Sequence, residues 1–123
     1  MKTTIKLILI NLCLFMCCSF TTSHKNHSWT ATFYGNNYKT VRHTANGEIF
    51  NKNAMTCAAP QCFKFGTKLK VTNVSNGKSV IVKVTDRGKN NLNNNTIDLT
   101  HGAFGKIAEH KHGRIRISIN VLK

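Results

Sequence analysis

The sequence predicts a mainly β domain, in which six short strands and one or two short helices make a small closed barrel. Three observations lead there. Residues 79–86 alternate, with Val80, Val82 and Val84 on one face and Ile81, Lys83 and Thr85 on the other. Ile115, Ile117, Ile119 and Val121 alternate in the same way near the C-terminus, with Arg114, Arg116, Ser118 and Asn120 facing out. The Asn-Gly pairs at Asn46-Gly47 and Asn76-Gly77 are strong turn signals, whereas helical spacing is confined to one stretch late in the chain.

The N-terminus stands apart. Lys2 and Lys6 precede an apolar run over residues 7–16, and small or polar residues fill 19–23. That order predicts a secretory signal over residues 1–23 and a domain over 24–123. The run is short for a membrane span. The expected place is the periplasm or cell envelope. Cys17 or Cys18 stands where a lipidated cysteine would lie, although Met16 fills the position where a small residue is usual. A mature chain of roughly 100 residues can bury a modest core.

The body reads in order. Residues 29–35 are aromatic and β-branched and predict a strand. Residues 36–43 form a loop, and the turn at 44–48 presents Glu48. Residues 51–58 suggest a helical turn that Pro60 ends. A turn at 65–67 precedes a strand over 68–74, with Leu69 and Val71 inward. A hairpin turn at 75–78 leads into the strand that ends at Asp86-Arg87-Gly88. An Asn-rich loop at 89–95 comes before a brief strand at 96–99. Thr100 is placed to cap a helix from His101 to about Glu109, with Ala103, Phe104, Ile107 and Ala108 inward. His43, His101, His110 and His112 read as surface residues.

Two of the five cysteines, Cys57 and Cys62, lie in the body. In an exported domain they read as one disulfide or a reduced structural pair. Two thiols without a matching Cys/His pair make a poor metal site, so none is expected. The chain carries 18 Lys and Arg against four acids, a net charge of +14. Such a field attracts polyanions. The cations are scattered and follow no recognition-helix or zinc-finger pattern, so nucleic acid is not the expected partner. An anionic envelope surface is. A monomer is expected.

The four acids are Glu48, Asp86, Asp98 and Glu109. In so basic a chain each calls for its own explanation. Asp86 ends a rigid apolar strand, where a carboxylate is better held than on a free loop.

Taken together, the motifs resemble the rare lipoprotein A (RlpA) family of double-psi β-barrels. The matching stretches include Ala31-Thr32-Phe33-Tyr34-Gly35, Thr44-Ala45-Asn46-Gly47-Glu48, Val71-Thr72-Asn73, Asp86-Arg87-Gly88 and Ile97-Asp98-Leu99-Thr100. They run in the family's order through nearly all of the mature chain. The resemblance implies lytic cleavage of peptidoglycan glycan strands to 1,6-anhydro products, with no cofactor. It makes Glu48 and Asp86 the catalytic candidates and Thr44, Asp98, Arg87 and Tyr34 the substrate-binding ones. Asp98 also reads as a cap on the following helix. The same barrel resembles the first domain of expansins, which loosen walls without clear hydrolysis, so a non-catalytic wall-binding module is the rival reading. A basic secreted effector directed at anionic surfaces is a weaker one. One departure supports the module: where the family often has histidine, this chain has Ala59.

Overall fold

The computed structural model describes residues 28–88 and 95–123. The expected signal at 1–23, the lipidation candidates Cys17 and Cys18, and most of the Asn-rich loop lie outside them.

The described residues form six strands: β1 (Trp29–Tyr34), β2 (Thr56–Ala58), β3 (Lys68–Asn73), β4 (Ser79–Asp86), β5 (Thr96–Thr100) and β6 (Ile115–Leu122). They close in the order β1-β5-β2-β4-β3-β6. Closure leaves each strand with two neighbours and removes the free sheet edge. β1 runs parallel to β5 and β2 parallel to β4, and the other pairs are antiparallel. One helix, α1 (His101–Ile107), and a 3-10 turn (His110–His112) sit between β5 and β6.

Alternation explains the core. Leu69 and Val71 from β3, Val82 and Val84 from β4, and Ile97 and Leu99 from β5 are all buried. Phe104 and Ile107 of α1 close one side of the same core. Thr100 caps α1: its Oγ1 accepts from the Ala103 N–H at 3.2 Å and donates to the Ala54 carbonyl at 2.6 Å. The Asn-Gly turns form with Gly47 and Gly77 at positive φ, where an L side chain would be strained.

The structure corrects four local expectations. Residues 56–58 form β2 rather than the end of a helical turn. Their neighbourhood bonds elsewhere: the Met55 carbonyl accepts from Lys83, and the Lys52 carbonyl accepts from Gly102. Val121 is exposed, because the final alternation outlasts the core. His101 and His110 are half-buried, stacked on each other at 3.7 Å, and both meet the ring of Phe33. No disulfide joins Cys57 and Cys62. Cys57 points from β2 into the core, whereas Cys62 is exposed in the loop that follows.

Candidate active site

The site is built on the outer face of β1, β5, β2 and β4. Ala58 of β2 pairs with Asp98 of β5 on one side and with Asp86 of β4 on the other. Partners across a ladder project from the same face, so the Ala58 methyl lies between the two carboxylates. Two inter-strand steps put their Cα atoms about 9–10 Å apart. Thr32 of β1 extends the row, and its hydroxyl donates to Asp98 Oδ1.

A bulge sets the position of Asp86. Cys57 pairs with Val84 but Ala58 pairs with Asp86, so Thr85 is the extra residue. The irregularity turns Thr85 inward, where it is buried and its hydroxyl finds no hydrogen-bond partner among the described residues. Bulges commonly re-aim a side chain at a strand end. Here Asp86 receives three hydrogen bonds. Tyr34 Oη donates to Oδ2 at 3.0 Å, and the Ala45 and Arg87 N–H groups donate to Oδ1 at 3.0 and 2.9 Å.

Burial, and then the neighbouring Asp86 carboxylate, push the Tyr34 phenol well above its usual range, so it stays protonated. Its ring packs against Phe50 and Tyr38. Arg87 is half-buried, with its guanidinium 4.0 Å over the Phe65 ring and Nη1 donating to the Ala59 carbonyl at 3.2 Å.

The turn at 44–48 docks on the end of β4 through Asn46 N–H to the Thr85 carbonyl, 3.1 Å. Glu48 sits at its exposed edge, 2.9 Å from Lys83 Nζ. That hydrogen bond holds the Glu48 carboxyl below its usual range, so it is ionised near neutral pH. Thr44 is buried, and its hydroxyl donates within the turn, to Asn46 Oδ1 and the Glu48 carbonyl. It shapes the turn and offers no hydroxyl to the groove.

The structure therefore gathers Tyr34, Asp86 and Arg87 tightly, sets Asp98 across Ala58, and leaves Glu48 on the rim. Lys83, Thr32 and Ala58 were not marked as site residues in the sequence. Thr32 had a legible signal, since it shares the outward face of β1 with Tyr34. Lys83 and Ala58 had none before the pairing of β2 and β4 was known.

A family model described as lytic transglycolase matches residues 26–119. The chain belongs to this family, the RlpA-like double-psi β-barrels. A probable endolytic peptidoglycan transglycosylase RlpA from Synechocystis is 42% identical over 76% of this chain and 28% of its own length. The endolytic peptidoglycan transglycosylase RlpA of Campylobacter jejuni is 39% identical over 75% of this chain and 32% of its own length. The chain thus spans about a third or less of these RlpA-named relatives. An uncharacterized protein of the same Synechocystis strain, 43% identical, is matched over 96% of its length. Among solved structures, a Clavibacter michiganensis expansin in complex with cellohexaose superposes with a TM-score of 0.63. It shares 22% identity and covers 79% of this chain and 50% of its own. At that identity the likeness concerns the barrel.

Proposed function

We propose that this protein is a lytic transglycosylase that cleaves peptidoglycan glycan strands in the cell envelope. The observation that carries the reading is Asp86. It is fixed at the end of β4 by a phenol and two main-chain N–H groups, and it looks onto a face whose far side is Asp98. The RlpA-named relatives support the same chemistry.

In this reading a protonated Asp86 delivers its proton to the departing glycosidic oxygen as the C1–O bond breaks. The resulting carboxylate then takes a proton from the sugar's own 6-hydroxyl, whose oxygen closes on C1. Water does not enter, the product is a 1,6-anhydro sugar, and Asp86 regains its proton for the next cycle. Glu48, held ionised by Lys83, offers negative charge to the oxocarbenium-like centre. Arg87 and Asp98 line the path of the strand on either side of Ala58.

The second reading, a glycan-binding module without turnover, is favoured by Ala59. That residue is buried and supplies no imidazole where the family often has one. Mass analysis of glycan strands incubated with purified protein separates the readings. Anhydro ends lost in Asp86→Asn, with wall binding retained, support the lyase. Reducing ends indicate a hydrolase, and binding without cleavage indicates the module.

A further inference from the structure

A second concave surface lies away from the carboxylates. It is a cleft of about 540 Å³ between the β3–β4 turn, the end of α1 and the start of β6. Lys78, His112, Arg114 and Arg116 line it, with Glu109 as its acid. Its walls are fixed. Asn73 and Asn76 each donate a side-chain amide to the Ile107 carbonyl at 2.9 Å, which ties the turn to the end of α1. Val74 N–H donates to the Arg116 carbonyl at 3.2 Å, which ties the same turn to β6.

The cleft carries a net positive charge, with Lys78, Arg114 and Arg116 set against Glu109. All four acids of the chain are accounted for among the described residues. Glu48 pairs with Lys83, and Glu109 turns to Lys111 at 3.0 Å. Asp86 and Asp98 are engaged in the groove by Tyr34 and Thr32. No side-chain carboxylate is left for Lys78, Arg114 or Arg116. Among the described residues Arg114 reaches a neutral group, the Thr30 hydroxyl, at 3.3 Å. The main chain that carries these three cations is held in place, so anion binding has side chains to order but no wall to build.

We propose that this cleft binds a base-free phosphodiester polymer, a chain of polyol units joined by phosphates. Arginine forks match phosphate oxygens in pairs, and a lysine adds a point charge. The cleft is larger than a single phosphate and concave, which suits a chain segment better than a flat lipid surface. Its lining has no Phe, Tyr or Trp, which leaves only His112 and the guanidinium planes for nucleobases to stack on, a poorer platform than the aromatic rows of single-stranded nucleic-acid grooves. The site is independent of glycan cleavage, and Asp86→Asn leaves it intact.

The test measures affinity of the full chain for poly(glycerol phosphate) at fixed salt. The cleft variant is Lys78→Gln/Arg114→Gln/Arg116→Gln. The control removes equal charge from exposed positions elsewhere, Lys68→Gln/Lys70→Gln/Lys123→Gln. Binding is expected to weaken at least ~10-fold in the cleft variant and less than ~3-fold in the control, with the cleft variant also showing the shallower salt dependence. Arg114→Lys/Arg116→Lys keeps the charge and guards against loss of fold; it is expected to bind between wild type and the cleft variant. Thermal melts confirm that each variant is folded. Equal loss in the two triple variants overturns the proposal, as does the absence of binding by wild type. So does binding as tight to single-stranded DNA, to polyglutamate or to phosphatidylglycerol vesicles at matched charge.

Discussion

Tyr34 Oη donates a 3.0 Å hydrogen bond to Asp86 Oδ2, although β1 and β4 are separated by β5 and β2 in the barrel. The phenol therefore bridges the groove floor and joins its two flanking strands. The Tyr34 ring is itself held by Phe50 and Tyr38, so its hydroxyl arrives in a fixed position.

Tyr34→Phe removes that donor and leaves the ring. A hydrogen bond to a charged group is worth about 1.5–3 kcal/mol, so turnover is expected to fall roughly 10- to 100-fold. Because Tyr34 holds Asp86 in position, the loss should fall on kcat with KM little changed, and the melting temperature should stay near that of wild type. Anhydro-product formation measured against glycan concentration, with a thermal melt of each protein, checks this.

Thr85 is the residue displaced by the β4 bulge, and its buried hydroxyl has no partner among the described residues. Thr85→Val keeps the shape and removes the unpaired oxygen. Stability is expected to rise by about 1 kcal/mol, read by denaturant unfolding at constant m-value. The main-chain bond from Asn46 N–H to the Thr85 carbonyl survives the change, so the turn that carries Glu48 stays docked.

Much of this was legible in the chain itself. The alternating valines of β4 and isoleucines of β6, the Asn-Gly turns and the Thr100 cap all act locally, and each formed where the pattern put it. What stayed hidden depended on distant partners. β2 is three residues long and exists because Cys57 and Ala58 bond to β4 and β5 at once. Its local sequence gives no strand period. The bulge at Thr85 is likewise a mismatch between strands 27 residues and more apart, and only the pairing exposes it. The carboxylates could be named from the sequence, but the row Asp86–Ala58–Asp98 required the barrel order.

The two body cysteines should differ sharply in reactivity. Burial, and then the Asp98 charge, push the Cys57 thiol up to about 12. On native protein prepared without residues 1–23, which carry the other three cysteines, iodoacetamide is expected to label Cys62 alone, and both body cysteines after denaturation. Intact mass gives the count. No labelling of native protein until a reductant is added would mean that the two are bridged.

His101 is held below its usual 6.5, first by burial and then by the nearby charges of His110 and Lys52. Its neutral form is therefore favoured in the folded state. Stability is therefore intact above the unfolded value and is lost as pH falls from there through the lowered folded value. Melting temperature should drop between pH 7.5 and pH 5. The drop should shrink in His101→Gln, which cannot take up the proton. An equal drop in both proteins would remove His101 as its source.

Ala59 is buried, its N–H donates to the Asp86 carbonyl at 3.0 Å, and its carbonyl accepts from Arg87 Nη1 at 3.2 Å. The main chain at this position thus braces both Asp86 and Arg87 whatever side chain it bears. If proton transfer rests on Asp86, wild type should form anhydro product, and Ala59→His should change the rate by less than ~10-fold, below the usual worth of a general acid or base. The imidazole must also be fitted into a filled core, which costs about 1–3 kcal/mol of stability. Melting temperature and product yield should therefore separate: the first falls and the second barely moves. If wild type instead yields no anhydro ends and Ala59→His produces them, the carboxylates bind and orient while histidine supplies the chemistry. The native chain would then be the glycan-binding module.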